Sequence, residues 1–182
     1  MPFDVVDLIM QDHREAERLF NELETRPDKR LNLTPVLTTL LIAHSRAEEA
    51  EVYPVAREEA DEADEIAHSQ EEHAQVDELL KRLAGVDPES PKFGQVLTEL
   101  AEAVNRHVQE EEAIVLPALA ERLSDARRAE LGEAFAASRK LHLGEQPGEL
   151  TKEELRAQAR NLGLAGASGM SKEQLKRKTM GS

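Results

Sequence analysis

The chain contains no cysteine among its 182 residues. Disulfides, thiolate catalysis, iron–sulfur clusters and cysteine-ligated zinc sites are therefore excluded. Aromatic residues make up only 3%, with no tryptophan and one tyrosine, so the core must be aliphatic. No apolar run approaches the roughly 18 residues of a membrane-spanning helix, and the N-terminus lacks the basic start and apolar centre of a signal peptide. We therefore expect a cytoplasmic protein without a membrane partner.

Negative charge predominates but is unevenly distributed. The net charge is −14, yet residues 151–182 carry seven Lys or Arg against three Glu, a net charge of +4, which leaves about −18 on residues 1–150. An acidic body disfavours nucleic acid as the main partner, because the phosphate backbone is itself negative. Any contact with nucleic acid is expected at the basic tail alone.

Apolar residues recur at spacings of three and four, which predicts amphipathic helices. No segment alternates with the period of two that is typical of a strand. The predicted helices span residues 3–24, 33–60, 64–84, 91–122 and 125–143. The fold class is therefore all-α: an antiparallel four-helix bundle with the additional fifth helix packed outside it.

Residues 146–148, Gln-Pro-Gly, mark a boundary after the fifth helix. Beyond it, residues 151–154 (Thr-x-x-Glu) and 171–174 (Ser-x-x-Gln) both fit the capping-box pattern of a helix start. We predict a bundle domain at residues 1–145 and a small C-terminal helix–loop–helix tail at residues 149–180. The tail is too short to bury much core by itself.

Two stretches that lie 63 positions apart share the pattern His-x-x-x-Glu-Glu-x-x-x-[Tyr/Leu]-Pro, starting at His44 and at His107. Residues four apart lie on the same face of a helix, so each His is placed beside the first Glu of its stretch, Glu48 or Glu111. A pair of such faces pointing inward would build a metal site from nitrogen and oxygen ligands.

The helices that precede these two stretches also repeat. Asp12-His13 and Glu72-His73 are followed by apolar residues at the same spacing. Each half of the bundle would therefore give one His from its first helix and a His-x-x-x-Glu pair from its second. A pseudo-twofold axis relating the halves would pass between two metal ions.

Polar residues on the core-facing stripes predict that the bundle binds metal. A single His on an apolar stripe is usually a satisfied core histidine, but here all four bundle helices carry one. Burying Glu48 and Glu111 unpaired would cost on the order of several kcal/mol, and no Lys or Arg lies on the stripes to neutralise them. Ligands without sulfur suit iron, manganese or zinc, and two bridging carboxylates favour a dinuclear centre. We expect two iron ions, with manganese or mixed metal as the alternative.

This pattern resembles the haemerythrin-like HHE cation-binding family over about residues 4–142. The resemblance implies a four-helix bundle around an oxo- or hydroxo-bridged di-iron centre. The ligands that it implies are four histidines and two bridging carboxylates: His13, His44, His73, His107, Glu48 and Glu111.

The third helix departs from the oxygen-carrying members of that family, which have two His one turn apart there. The positions four residues before and after His73 are Ser69 and Asp77. The missing donor could be His68, which would need a bulged turn, or Tyr53, whose phenolate would favour ferric iron; water and Asp77 are further alternatives.

The geometry of a straight helix argues against the tyrosine. At roughly 100° per residue, Tyr53 points about 180° away from His44. Pro54 could relax this geometry. With a donor missing, reversible oxygen carriage is not expected.

Other titratable residues lie off the ligand face. Glu49 and Glu112 are rotated by roughly 100° from this face. We therefore expect them to contact the ligand side chains from outside or to be exposed to solvent, and not to bind the metal. Glu17 and Asp77 repeat the His-x-x-x-acid spacing and are expected to accept hydrogen bonds from the ligand imidazoles. His142 is expected at the surface or at a helix end.

The tail, residues 150–178, is similar to SAP-like or Rho-N-terminal-like modules, which in relatives often contact nucleic acid. A basic tail that is simply exposed to solvent is an equal alternative.

A di-iron centre that is short of nitrogen donors should rest in the ferric state, which suits a small diatomic or peroxide substrate: catalase-like disproportionation of hydrogen peroxide, or nitric oxide or oxygen chemistry. The alternative is a non-enzymatic oxygen, nitric oxide or iron sensor that signals through the tail.

A ferritin-like iron store ranks lower, because Glu-x-x-His occurs only once on these helices, at residues 65–68. We expect a monomer or dimer.

Overall fold

The computed structural model describes residues 3–180; the first two residues of the predicted bundle domain lie outside this range. Within it there is no strand, which confirms the all-α prediction. The α-helices are α1 (Val5–Thr25), α2 (Arg30–Ala47), α3 (Tyr53–Glu59), α4 (Ala63–Ala84), α5 (Pro91–Glu110), α6 (Leu116–Arg122), α7 (Asp125–Leu141), α8 (Lys152–Asn161) and α9 (Lys172–Thr179). No helix among these residues is long and apolar enough to span a bilayer.

Two five-residue π-helical segments, Glu48–Val52 and Glu111–Val115, join α2 to α3 and α5 to α6. The bundle thus consists of four rods, namely α1, α2 with α3, α4, and α5 with α6. The sequence predicted each interrupted rod as one helix, which is right in extent but misses the change of helix type.

The π segments have a local cause. The N–H of Tyr53 donates to the carbonyl of Glu48, and that of Leu116 to Glu111, one residue further back than in an α-helix. Each is followed by a proline, which has no N–H and cannot continue the α-helical ladder. The wider turn adds one residue, so the side chains beyond it are rotated by roughly 100° relative to a straight α-helix.

The bundle interior contains two aliphatic clusters with a polar layer between them. One cluster includes Leu23, Leu80 and Phe93, and the other includes Ile9 and Ile66. On each rod, the predicted ligand His lies between residues of one cluster and residues of the other. The apolar packing therefore fixes the four rods above and below the layer that carries these histidines.

Helix α7 packs on the outside of the bundle against α1 and α2, as predicted. Leu131 and Phe135 on its inner face are buried in the second aliphatic cluster. Its N-terminus is capped by Ser124, whose hydroxyl accepts from the N–H of Arg127.

Residues 149–180, called the C-terminal unit below, form a helix–loop–helix around a small apolar cluster. Both predicted capping boxes are present, at the starts of α8 and α9. The cluster consists of Leu150, Leu155, Ala159, Ala167 and Leu175. Helix α8 also packs against α3, α4 and the first π segment, so the unit is seated on the bundle.

Candidate metal centre

Six side chains that the sequence analysis predicts as metal ligands are buried in the polar layer of the bundle. They form two groups of atoms, each within 4.8 Å of one another. The first group is His13, His44, Glu48 and Glu111, and the second is Glu48, His73 and His107. Glu48 belongs to both groups.

The two carboxylates each lie between a histidine of one half and a histidine of the other. Oε1 of Glu48 is 3.2 Å from Nε2 of His44, while its Oε2 is 3.4 Å from Nε2 of His73. Oε2 of Glu111 is 3.2 Å from Nε2 of His13 and 3.9 Å from Nε2 of His107. Glu48 thus offers one oxygen to a histidine of each half, whereas Glu111 presents the same oxygen to both of its histidines.

The polar atoms in this layer fit metal ions. Both oxygens of Glu48, both oxygens of Glu111 and Nε2 of His13 are buried without a hydrogen-bond partner. Unpaired buried carboxylates are strongly destabilising unless a cation compensates them. Two ligand atoms at right angles around one ion, with bonds of about 2.1 Å, are about 3.0 Å apart, close to the observed spacing. Imidazole and carboxylate donors without sulfur suit iron, manganese or zinc.

Each of the four candidate ligand imidazoles also has a carboxylate within hydrogen-bond distance of its other ring nitrogen, Nδ1. The four Nδ1–carboxylate distances are 2.9 Å for His13–Glu112, 3.1 Å for His44–Asp12, 3.1 Å for His73–Glu49 and 2.9 Å for His107–Glu72. A proton on Nδ1 that is donated to the carboxylate leaves the lone pair of Nε2 free for a metal ion. All four Nε2 atoms therefore face the centre of the layer.

These four outer carboxylates were predicted only in part. Glu49 and Glu112 lie behind the ligands, in agreement with one of the two predicted places. Asp12 and Glu72 were missed, although each directly precedes a ligand His in the repeated pattern. Their partners are on the neighbouring rod, which helical periodicity does not reveal.

The prediction that Glu17 and Asp77 accept from the imidazoles is wrong. Glu17 is exposed and accepts from the guanidinium of Arg14 at 2.9 Å. Asp77 is buried, but both its oxygens accept from Nη2 of Arg46 at 2.8 Å. Neither carboxylate reaches a ligand histidine.

An arginine compensates each outer carboxylate. Arg139 pairs with Asp12 and Arg14 with Glu112, whereas Nε of Arg106 is 3.3 Å from Glu72 and Nη1 of Arg46 is 3.3 Å from Glu49. Arg46 is fully buried, which sequence analysis missed because the side chain lies off the ligand stripe. The ligand layer is thus surrounded by a ring of carboxylates and then by a ring of guanidinium groups.

Tyr53 and His68, the two candidates for the missing donor, lie in different places. The hydroxyl of Tyr53 is fully buried and 2.9 Å from Nε2 of His73, because the π segment rotates it inward. The objection based on a straight helix therefore does not apply. The His68 side chain is 51% exposed and 3.0 Å from Glu110, outside both groups of ligand atoms. Helix α4 is regular there, without the bulged turn that His68 would need.

His142 lies at the end of α7, as expected. Its Nδ1 donates to the carbonyl of Ser138 at 2.7 Å, and its Nε2 is 3.4 Å from Glu154 in the C-terminal unit. It has no contact with the ligand layer.

Residues 4–119 match the family model described as Hemerythrin HHE cation binding domain. The chain belongs to this family. It is 28% identical over 138 residues to a Nostoc protein named DNA nickase, a match that covers 75% of this chain and 39% of that protein. It is 26% identical over 140 residues to an uncharacterized hemerythrin-like protein of Schizosaccharomyces pombe, covering 75% of this chain and 69% of that protein. The chain thus spans well under half of the Nostoc relative, and no solved structure is significantly similar to it.

The electrostatics of this haemerythrin-like centre favour a positive charge in the ligand layer. Burial lowers the pKa of His73, but Glu48 and Glu49 outweigh burial and raise it to about 9. Burial raises the pKa of Glu49, but Arg46 and its other donors hold it at about 2. Burial and the surrounding carboxylates raise the pKa of Tyr53 well above its usual range. A metal ion can supply the positive charge in place of these protons.

A cavity of about 20 Å³ adjoins the haemerythrin-like centre. All four ligand histidines contribute to its wall, together with Asp12 and Ser45. The remaining lining is apolar: Ala16, Leu40, Leu41, Val76, Val104 and Val108. A cavity of this size holds about one water-sized molecule.

Proposed function

We propose that this haemerythrin-like protein holds two iron ions and processes a small oxidant, with hydrogen peroxide as the main substrate and nitric oxide or oxygen as the alternatives. An iron pair supplies a two-electron couple, by which one peroxide is oxidised to dioxygen while a second is reduced to two waters. The observation that carries the proposal is the cavity of about 20 Å³ with all four ligand imidazoles in its wall.

The ligand residues have distinct tasks in this proposal. Glu48 and Glu111 would hold the ions and supply negative charge that balances them. The histidines fix the geometry, since each is held through Nδ1 by an outer carboxylate. Bound iron would supply the redox chemistry, and the cavity beside the four imidazoles leaves room for a small substrate next to it.

The cavity limits what reaches the centre. Its aliphatic wall and small volume admit a diatomic molecule or peroxide and exclude larger organic substrates. The wall also excludes bulk water from the reacting atoms, which strengthens the electrostatic interactions there.

Tyr53, rather than His68, is proposed as the additional donor beside His73. Its hydroxyl is within 2.9 Å of the same Nε2 atom that faces Glu48. A phenolate ligand stabilises ferric iron, which suits peroxide chemistry better than reversible oxygen binding.

Oxygen evolution from hydrogen peroxide by the iron-loaded protein tests the proposal. We expect turnover in the wild type and in His68→Ala, which alters an exposed histidine of the same helix as His73. Turnover should be lost in Glu48→Ala and His73→Ala. Evolution no faster than that of the same amount of free iron would refute peroxide disproportionation.

A second candidate function is a non-enzymatic sensor of oxygen, nitric oxide or iron. The supporting observation is that α8 contacts Glu49, which in turn holds the ligand His73. Deleting the C-terminal unit would disturb both activity and output, because it would uncover these residues. A cleaner test replaces Lys176, Arg177 and Lys178 on the exposed face of α9 by Glu; a sensor loses its partner, whereas an enzyme keeps its turnover.

The Nostoc relative named DNA nickase and the SAP-like sequence of the tail make nucleic acid the partner to examine first. A basic α9 on an otherwise acidic chain would direct DNA to the C-terminal unit. Conversion of supercoiled plasmid to open circles by the iron-loaded protein, with and without the α9 substitutions, separates strand cleavage from simple binding.

A further inference from the structure

One of the four outer carboxylates is buried together with the arginine that pairs with it. Glu49 and its partner Arg46 are both buried. By contrast, Arg14 and Arg106, which pair with two of the other carboxylates, have side chains that are 50% and 51% exposed. All four histidines therefore have an outer carboxylate, but only on the His73 side is the arginine that pairs with this carboxylate also buried.

Helix α8 of the C-terminal unit provides this cover through hydrogen bonds. Nε2 of Gln158 donates to Oε2 of Glu49 at 3.1 Å. Nδ2 of Asn161 donates to the backbone carbonyl of Glu49 at 2.9 Å and to Oε1 of Gln70 at 3.1 Å. Gln70 in turn donates to Oε1 of Glu49 at 3.0 Å. Both oxygens of this carboxylate are thus oriented by amide groups, and one of those groups comes from the C-terminal unit.

Two more contacts fix the position of the unit, one from the residue directly before it and one from within it. The N–H of Gly148 donates to Oδ2 of Asp77 at 3.0 Å, and Asp77 is the partner of Arg46. Nη1 of Arg57 donates to the carbonyl of Asn161 at 2.8 Å. These contacts are polar and directional, whereas the apolar residues of the unit form a cluster of their own. Polar contacts of this kind specify an orientation rather than simply bury surface.

We propose that the C-terminal unit positions Glu49, and through it His73, so that docking of the unit and metal binding at His73 are coupled. Gln158 and Asn161 are positioning residues: they touch no metal ligand but orient the carboxylate that orients one. Because coupling is reciprocal, a metal ion at His73 tightens the docking of α8, and release of α8 weakens the hold on the metal. The inference rests on the metal centre proposed above and not on its turnover of peroxide.

Hydrogen exchange on the full-length wild type tests one direction of the coupling. We expect the amides of α8 to exchange more slowly in protein loaded with iron than in protein treated with chelator. The amides at the centre of α5, in the first aliphatic cluster, serve as the internal reference. Equal protection of α8 in both states would overturn the coupling.

Variants of the full-length chain test the other direction. Gln158→Ala and Gln158→Glu are compared with Glu153→Ala, whose side chain on the same helix is 79% exposed. We expect iron release to a chelator to be roughly 3- to 10-fold faster in Gln158→Ala and faster still in Gln158→Glu, which places a second carboxylate beside Glu49. The absorption spectrum of the iron centre should shift in both variants but not in Glu153→Ala.

The outcomes separate this proposal from the proposed function. If both Gln158 variants keep normal helix content by circular dichroism and release iron at the wild-type rate with an unchanged spectrum, the coupling is wrong. If the coupling is present but peroxide is not turned over, only the proposed function fails. A wild type that takes up no iron would overturn both.

Discussion

The hydroxyl of Tyr53 lies 2.9 Å from Nε2 of His73, at the inner end of a turn that is wound as a π-helix. These two residues belong to different rods of the bundle. The phenol of Tyr53 therefore lies at the edge of the second ligand group. The first group has no phenol at the corresponding place. Position 116, which corresponds to Tyr53 in the other half, is a leucine.

Replacing Tyr53 by Phe should remove a visible absorption band from the iron-loaded protein. A phenolate bound to ferric iron gives a broad band in the green, whereas bridged iron without it absorbs mainly in the near ultraviolet. Absorption spectra of wild type and Tyr53→Phe measure this directly. His68→Ala is the control and should keep the band; if His68→Ala loses it while Tyr53→Phe retains it, the donor has been assigned to the wrong residue.

Removing the shared carboxylate should lower the metal content. Glu48 belongs to both ligand groups, so Glu48→Ala should bind at most one iron per chain where the wild type binds two. Elemental analysis after removal of loosely bound metal gives the stoichiometry. Glu110→Ala, a change in the exposed cluster with His68, should leave it at two. Full occupancy in Glu48→Ala would show that this carboxylate does not join the ions.

Arg46→Met should destabilise the fold strongly. The guanidinium of Arg46 is the buried partner of both Asp77 and Glu49, and its loss leaves two buried carboxylates uncompensated. We expect the free energy of unfolding to fall by about 3–5 kcal/mol in denaturant titrations of protein kept in chelator. Arg106→Met removes a half-exposed partner of Glu72 and should cost no more than about 1 kcal/mol. Equal losses in the two variants would contradict the special burial of the His73 side.

Docking of the C-terminal unit should weaken as the pH rises. Burial and the neighbouring carboxylate of Glu154 raise the pKa of Glu145 to about 8, while His142, Arg46 and Glu49 also face this pair. Between the usual pKa of 4.5 and about 8, the folded protein keeps a proton that the unfolded chain has lost. The free energy of unfolding therefore falls as the pH rises through this range.

Hydrogen exchange of α8, corrected for the intrinsic pH dependence of amide exchange, measures this effect. The opening free energy of α8 in the wild type should be smaller at pH 9 than at pH 6. Glu145→Gln should flatten the dependence, because the amide does not titrate, whereas Glu149→Gln, at an exposed position four residues further on, should not. A wild-type dependence that persists in Glu145→Gln would assign it to another group.

The helices, and the convergence of six His and Glu side chains in one polar layer, could be predicted from the sequence because their signals are local. Spacings of three and four define the stripe of α1, and His44 and Glu48 are one turn apart on a single rod. The internal duplication then shows that the same chemistry is present twice. Each of these inferences needs only the periodicity of a helix.

The surroundings of the centre could not be predicted, because they depend on contacts between rods. Asp12 reaches His44 from another helix, and Gln158, which orients Glu49, lies more than 100 residues further along the chain. The π turn has a sequence signal in Pro54, but the proline alone does not distinguish a kink from an added residue. That distinction decides where Tyr53 points.

The π segments have a consequence for divergence within the family. Each holds one residue more than a regular helix would need at that place. Loss of one residue from Glu48–Val52 would restore an ordinary helix and swing the phenol of Tyr53 out of the interior, while His44 and Glu48 upstream keep their places. Insertions and deletions, which natural proteins tolerate mainly in loops, can thus change which side chain faces the polar layer at this place without altering the four histidines and two glutamates already there.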